Sequence, residues 1–197
     1  MDLRRGRVNS LSSLPDSVAD FLCGKRIAVA GVSRSGKEAA NAIFRKLRDS
    51  GYEALPVNPA APEVEGVQCF PDLVSIPGSV DGVVIATHPN VSIEVVRQCL
   101  DRGINHVWFH RSFGRGSVSE EAVRECQARG VNCIVGGCPL MYCEPVDGAH
   151  RCMRWWLRWW RRAQRKHNGN WFFDSLEIIV RLARRNSIHL AGTKRLF

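Results

Sequence analysis

Residues 31–37, Gly31-Val32-Ser33-Arg34-Ser35-Gly36-Lys37, combine backbone freedom, small side chains and positive charge in a way that suits an anion. An apolar run, Ile27-Ala28-Val29-Ala30, precedes them, and a helical pattern is predicted from Lys37 to Asp49. A strand that turns through glycine into a helix leaves first-turn N–H groups free. It also aims about half a positive charge of helix dipole at the turn. Arg34 and Lys37 add mobile charge, so the chemistry on offer is phosphate binding. In Gly31-x-Ser33-x-x-Gly36, serine stands where a dinucleotide fingerprint has its second glycine, which lets backbone approach a pyrophosphate. Serine still permits the approach and adds a hydroxyl. The same turn also reads as an ordinary strand-to-helix connection that binds nothing.

The end of the next strand discriminates among ligands. Tyr52 to Val57 runs into Asn58-Pro59-Ala60-Ala61-Pro62, where an NAD enzyme places Asp or Glu for the ribose hydroxyls. Glu63 and Glu65 come later, in a Pro-rich loop, and are expected to be solvated. A pyrophosphate ligand is expected, with NAD disfavoured. Thr87-His88-Pro89-Asn90 follows the third strand and His110 the fourth. No carboxylate is evidently placed to orient His88 or His110, so both read as pocket-lining or surface residues, with no catalytic residue assigned. Cys138, Cys143, His150 and Cys152 could in principle ligate zinc, but their spacing fits no paired-ligand knuckle. The expectation is reduced thiols and no metal, with Cys138 near the ligand edge as a candidate reactive thiol.

These residues need a frame. Apolar runs at 25–30, 52–57, 81–86, 106–109 and 131–135 alternate with helical patterns at 37–49, 91–102 and from about 119 to 129. A short helix is expected from Pro15 to Cys23. Strands alternating with helices predict an α/β fold, a Rossmann-like, doubly wound, five-stranded parallel sheet in the order 3-2-1-4-5. The order then reverses beside the first strand, and ligands of such sheets sit at that reversal.

The net charge of +9 is unevenly spread. Residues 1–150 hold 16 Lys and Arg against 17 Asp and Glu, whereas residues 151–197 hold 12 against 2. The basicity therefore says nothing about the ligand of the α/β part. No apolar run nears the roughly 20 residues of a membrane span, and no secretory signal is expected. Eight cysteines without a signal point to reduced thiols and a cytoplasmic location.

The segments Lys25 to Arg34, Gly51-Tyr52 through Pro56-Val57-Asn58-Pro59, Phe70-Pro71-Asp72-Leu73 and Ile76-Pro77 before Val80-Asp81 together resemble the single-domain CoA-binding proteins. These are related to the nucleotide-binding domain of succinyl-CoA synthetase α subunits. The resemblance covers roughly residues 15–160. It implies that Gly31, Val32, Ser33 and Arg34 hold the CoA diphosphate, with Ser35 and Lys37 beside them. Asn58 and Pro59 would border the adenine end, and Thr87, His88 and Pro89 the pantetheine path. Arg34 or Lys37 would suit the 3′-phosphate. The resemblance implies binding of coenzyme A or an acyl-CoA rather than chemistry. An acyl-CoA ligase needs a phosphohistidine domain and an ATP-grasp partner, for which these 197 residues are expected to have no room. Two readings stay open beside it: an NAD(P)- or nucleotide-using enzyme on the same scaffold, and a membrane-peripheral interaction protein.

The last reading comes from the tail. The expected organisation is a flexible 1–14, a CoA-binding domain at 15–148, an amphipathic Trp/Arg helix at 149–166, and an extension of unread structure at 167–197. Trp155, Trp156, Trp159 and Trp160 share one helical face and arginines fill most of the rest. Such a helix can dock on its own domain or a second copy, or lie on an anionic membrane surface. Nucleic acid is the less expected partner.

Overall fold

Continuous apolar runs become central strands here because both faces of a parallel sheet are covered. In the computed structural model, residues 15–111 and 116–143 are described, with single positions 146, 148, 151, 152 and 155 beyond. The chain divides into two units at Arg151 and Cys152, and the architecture below belongs to the first. The expected segments 1–14 and 167–197 lie outside the described residues, as does 149–166 apart from helical Arg151, Cys152 and Trp155.

The strands are β1 (Arg26–Ala30), β2 (Glu53–Val57), β3 (Glu63–Val64), β4 (Val67–Gln68), β5 (Gly82–Ile85), β6 (His106–Phe109) and β7 (Asn132–Val135). Among the described residues four α-helices accompany them: α1 (Asp16–Cys23), α2 (Ala39–Asp49), α3 (Pro89–Asp101) and α4 (Glu120–Ala128). Five strands form a parallel sheet ordered β2-β1-β5-β6-β7, and β3 and β4 form a separate antiparallel hairpin.

The α/β class and the parallel sheet match expectation, but the strand order does not. Counting the five sheet strands in chain order, the arrangement is 2-1-3-4-5, not 3-2-1-4-5. The third of these, β5, pairs with β1 at Ile27↔Gly82 through Ala30↔Ile85, on the side away from β2. The physical reason lies in β2. Pro56 has no N–H to donate, which suits an edge strand and not an interior one. On that outer edge, among the described residues, β2 meets a single bridge, Val57↔Phe70. The order still reverses beside β1, between β1 and β5, so the expected ligand crevice keeps its place.

Ile27, Val29, Ile43, Phe44 and Leu47 are essentially fully buried, as are Val83, Ile85, Val96, Val107 and Phe109. Each such side chain contributes about 1.5–3 kcal/mol of transfer free energy. Trp108, fully buried on β6, meets Phe21 of α1 edge-on at 5.3 Å and donates its indole N–H to Gly136 O at 3.2 Å. Gly82 opens β5 because a Cβ there would lie 3.0 Å from the Phe21 ring.

The end of the sheet where β1 begins is tied by polar side chains. The Asp81 carboxylate accepts from Lys25 N at 2.7 Å and Arg26 N at 2.9 Å. The Arg26 and Lys25 N–H groups hold its pKa below the usual carboxylate range. Arg102, just past α3, donates to the carbonyls of Leu73 (2.6 Å), Val74 (3.1 Å), Ile76 (2.7 Å) and Gly78. The opposite end of the sheet carries the candidate site.

Candidate functional site

β1 continues to pair past its last residue: Gly31 N donates to Val57 O at 3.1 Å. The chain then leaves the sheet with φ +102° at Gly31. A Cβ there would lie 2.6 Å from Ala86 O and 3.1 Å from Thr87 N. Glycine is therefore required twice, by its backbone region and by the close approach of the loop after β5. That approach also sets the Thr87 backbone beside the turn.

Val32 is fully buried, while Ser33 is half-buried and Arg34 and Ser35 are exposed. Two asparagines hold this segment. Asn58, at the end of β2, donates to Val32 O at 2.5 Å and accepts from Ala60 N at 2.8 Å. Asn41, in the first turn of α2 and fully buried, accepts from Ser33 N at 2.9 Å and donates to Ser33 O at 2.8 Å. The Ser33 and Ser35 hydroxyls bond to each other at 2.7 Å, and Ser33 Oγ also accepts from Ser35 N at 3.2 Å. Gly36 closes the turn with φ +69°, its N–H donating to Ser33 O at 3.3 Å.

The helix begins at Ala39, two residues later than expected, after Glu38 in extended conformation with no side-chain cap. Lys37 is thus a loop residue and not the first helical one. Arg34 and Lys37 are exposed and make no side-chain hydrogen bond or ion pair with other described residues. Nor, among the described residues, does anything accept from the N–H groups of Val32, Arg34, Ala39 and Ala40. The result is a rigid turn edged by free backbone donors and two mobile cations.

The remaining expected residues split. Pro59 is exposed beside Asn58. Thr87 is half-buried, with Oγ1 3.3 Å from Ser92 Oγ. Ser92, fully buried, donates to Ser117 O at 2.7 Å and so links the loop after β5 to the start of α4. His88 is the N-cap of α3, its Nδ1 accepting from Asn90 N at 3.4 Å, with Pro89 at the first helical position. Its ring is thereby used locally for capping. His110 lies buried just past β6, and burial pushes its pKa below the ordinary histidine value. Cys138 and Cys143 are buried, which runs against an exposed reactive thiol at Cys138. Among the described residues no cluster of His, Cys, Asp or Glu could hold a metal ion.

Asn41, Arg45 and Glu65 belong to this site and were not singled out from the sequence. Glu65, expected to be solvated, is turned inward. Its Oε1 accepts from Asn41 Nδ2 at 3.0 Å and pairs with Arg45 Nη1 at 2.5 Å, and its side chain is 18% exposed. Arg45 Nη1 also donates to Gly36 O at 3.1 Å. One signal for Asn41 was legible: a polar residue inside the apolar stripe Ala40, Ile43, Phe44, Leu47.

Residues 25–144 match the family model described as a CoA binding domain. Acetate–CoA ligase (ADP-forming) II of Archaeoglobus fulgidus is 34% identical over 95 residues, covering 47% of this chain and 14% of that protein. The uncharacterized protein YneT of Bacillus subtilis is 39% identical over 57 residues, covering 29% of this chain and 42% of that one. The chain thus spans less than half the length of these relatives. Among solved structures, a hypothetical protein from Pyrococcus horikoshii superimposes with a TM-score of 0.62 at 27% identity. That match covers 68% of this chain and 93% of the other. A conserved hypothetical protein from Pyrococcus furiosus gives 0.53 at 32% identity, covering 58% and 95%.

Proposed function

Because the chain belongs to the CoA-binding domain family, we propose that it binds coenzyme A or an acyl-CoA with the diphosphate on residues 31–36. The observation that carries this reading is the pinned turn at the reversal of strand order, edged by the free N–H groups of Val32, Arg34, Ala39 and Ala40. Gly31, Val32, Ser33 and Arg34 hold the diphosphate with Ser35 beside them, and Arg34 or Lys37 reaches the 3′-phosphate. Asn58 and Pro59 border the adenine end. Thr87, His88 and Pro89 border the pantetheine arm. The similarity to an acetate–CoA ligase of Archaeoglobus fulgidus supports this ligand.

The role proposed is binding or regulation without catalysis. It is supported by the local use of the candidate groups: the two serine hydroxyls bond each other and His88 caps α3. A cytoplasmic location goes with the reading, supported by eight cysteines that form no disulfide among the described residues. Among the described residues no helix is long and apolar enough to cross a membrane. The segment 149–166 is proposed as the route to a second copy or an anionic membrane surface. A salt-sensitive liposome pull-down with and without residues 150–197 separates those two.

The test of the ligand is thermal unfolding with CoA, acetyl-CoA, NAD and NADP. A ligand at 100 times its Kd stabilises the folded state by about 2.7 kcal/mol. Stabilisation by CoA or acetyl-CoA is expected. Stabilisation by NAD without CoA would overturn the proposal.

A further inference from the structure

Among the described residues Glu65 is the non-glycine residue in the left-handed backbone region, with φ +55°. Gly66 follows with φ +76°. The two form the turn of the β3–β4 hairpin, where positive φ at both positions calls for Asn, Asp or Gly. A long side chain is disfavoured there. A residue held in a sparsely populated backbone region points to a use for its side chain.

The contacts give that use. Glu65 Oε1 receives Asn41 Nδ2 and Arg45 Nη1. Asn41 in turn holds both the N–H and the carbonyl of Ser33, and Arg45 holds the carbonyl of Gly36. One carboxylate, carried on a separate hairpin, therefore ties off both ends of residues 33–36. The other oxygen of Glu65 has no partner among the described residues.

We propose that Glu65 is a positioning residue for the diphosphate turn, fixing residues 33–36 in their ligand-receiving shape at the expense of a strained hairpin. The ligand half of this inference rests on the CoA reading above; the positioning half does not. The informative variant is Glu65→Asn, which relaxes the backbone and is too short to keep both contacts. Its Tm is expected to equal or exceed that of the wild type. In the free protein, amides of residues 33–36 should exchange about tenfold faster. The Kd for CoA and for ADP should rise about tenfold, equivalent to about 1.4 kcal/mol, while the Kd for pantetheine stays unchanged. Glu65→Gln, which keeps an acceptor for Asn41, should recover part of the loss.

Unchanged exchange together with unchanged Kd in Glu65→Asn overturns the proposal. So does a fall in Tm accompanied by equal weakening of CoA and pantetheine, which marks a residue of the fold and not of the site. If the wild type binds neither CoA nor ADP, the CoA reading fails. The exchange measurement then decides the role of Glu65 alone: faster exchange supports it and unchanged exchange overturns it.

Discussion

Asn41→Asp is nearly isosteric, and its effect on stability depends on pH in a way that follows from the geometry. The Asn41 amide nitrogen sits 2.8 Å from Ser33 O and 3.0 Å from Glu65 Oε1. In the variant an oxygen takes that place and faces two acceptors. Two unit charges 3.0 Å apart repel by about 5 kcal/mol at an effective dielectric of about 20. Arg45, 2.5 Å from the same Glu65 oxygen, offsets part of this and leaves a net cost of about 3 kcal/mol. The folded chain escapes the charge repulsion by keeping a proton on the new carboxyl, whose single O–H then donates to one of the two acceptors that the amide served. The pKa of that carboxyl is thus raised on folding. A raised folded-state pKa means the native state binds more protons than the unfolded one. Stability is then retained at low pH and falls as pH rises. Relative to wild type, the variant is expected to lose under about 1 kcal/mol at pH 4 and about 3 kcal/mol at pH 8. The second figure corresponds to a fall of about 9 °C in Tm. Thermal unfolding followed by circular dichroism in half-unit steps between those pH values reads the gap directly. A gap independent of pH, or one that closes toward pH 8, would refute the placement of Asn41 between Ser33 and Glu65.

Two further predictions concern the opposite end of the sheet. Arg102→Ala leaves the carbonyls of buried Leu73 and Ile76 without their charged donor, and a loss of about 3 kcal/mol in unfolding free energy is expected. CoA affinity at 20 °C should change less than twofold, because Arg102 is remote from the turn; denaturant titration and calorimetry check the pair. Asp81 carries a pKa held down by the Arg26 and Lys25 N–H groups. Its contribution is therefore present above the unfolded-state value and is lost as pH falls through the lower folded-state value. Asp81→Asn should make the decline of Tm below about pH 4 shallower than in wild type; parallel curves would refute it.

Much of the fold was legible because apolar runs and glycine stops act locally. Ile27 to Ala30, Val83 to Ile85 and Val107 to Phe109 read as buried parallel strands and are such strands. Strand order is a long-range property, and there the sequence reading failed, although Pro56 carried a usable signal in its missing N–H. In the site, Gly31, Ser33 and Asn58 were singled out by their place in the turn and at the strand end, and the structure brings them together. Glu65 was missed because its partners are 20 and 24 positions away in the chain. A polar residue in a Pro-rich loop reads as solvated until the hairpin that folds it back is known. His88 shows the converse: a histidine on the rim whose ring is spent on capping a helix.

The side-chain amides around the turn also decide its polarity. The carbonyls of Val32, Ser33 and Gly36 are each taken by a nitrogen of Asn58, Asn41 or Arg45. Those bonds engage three carbonyls of the turn, while the N–H groups of Val32 and Arg34 have no acceptor among the described residues. Each carbonyl so engaged is less available to a cation, while the N–H groups stay available to an anion. Part of any preference for anions therefore comes from two asparagines and an arginine behind the backbone, beside that of Arg34 and Lys37 in front of it. It should persist at salt concentrations that screen those two exposed charges.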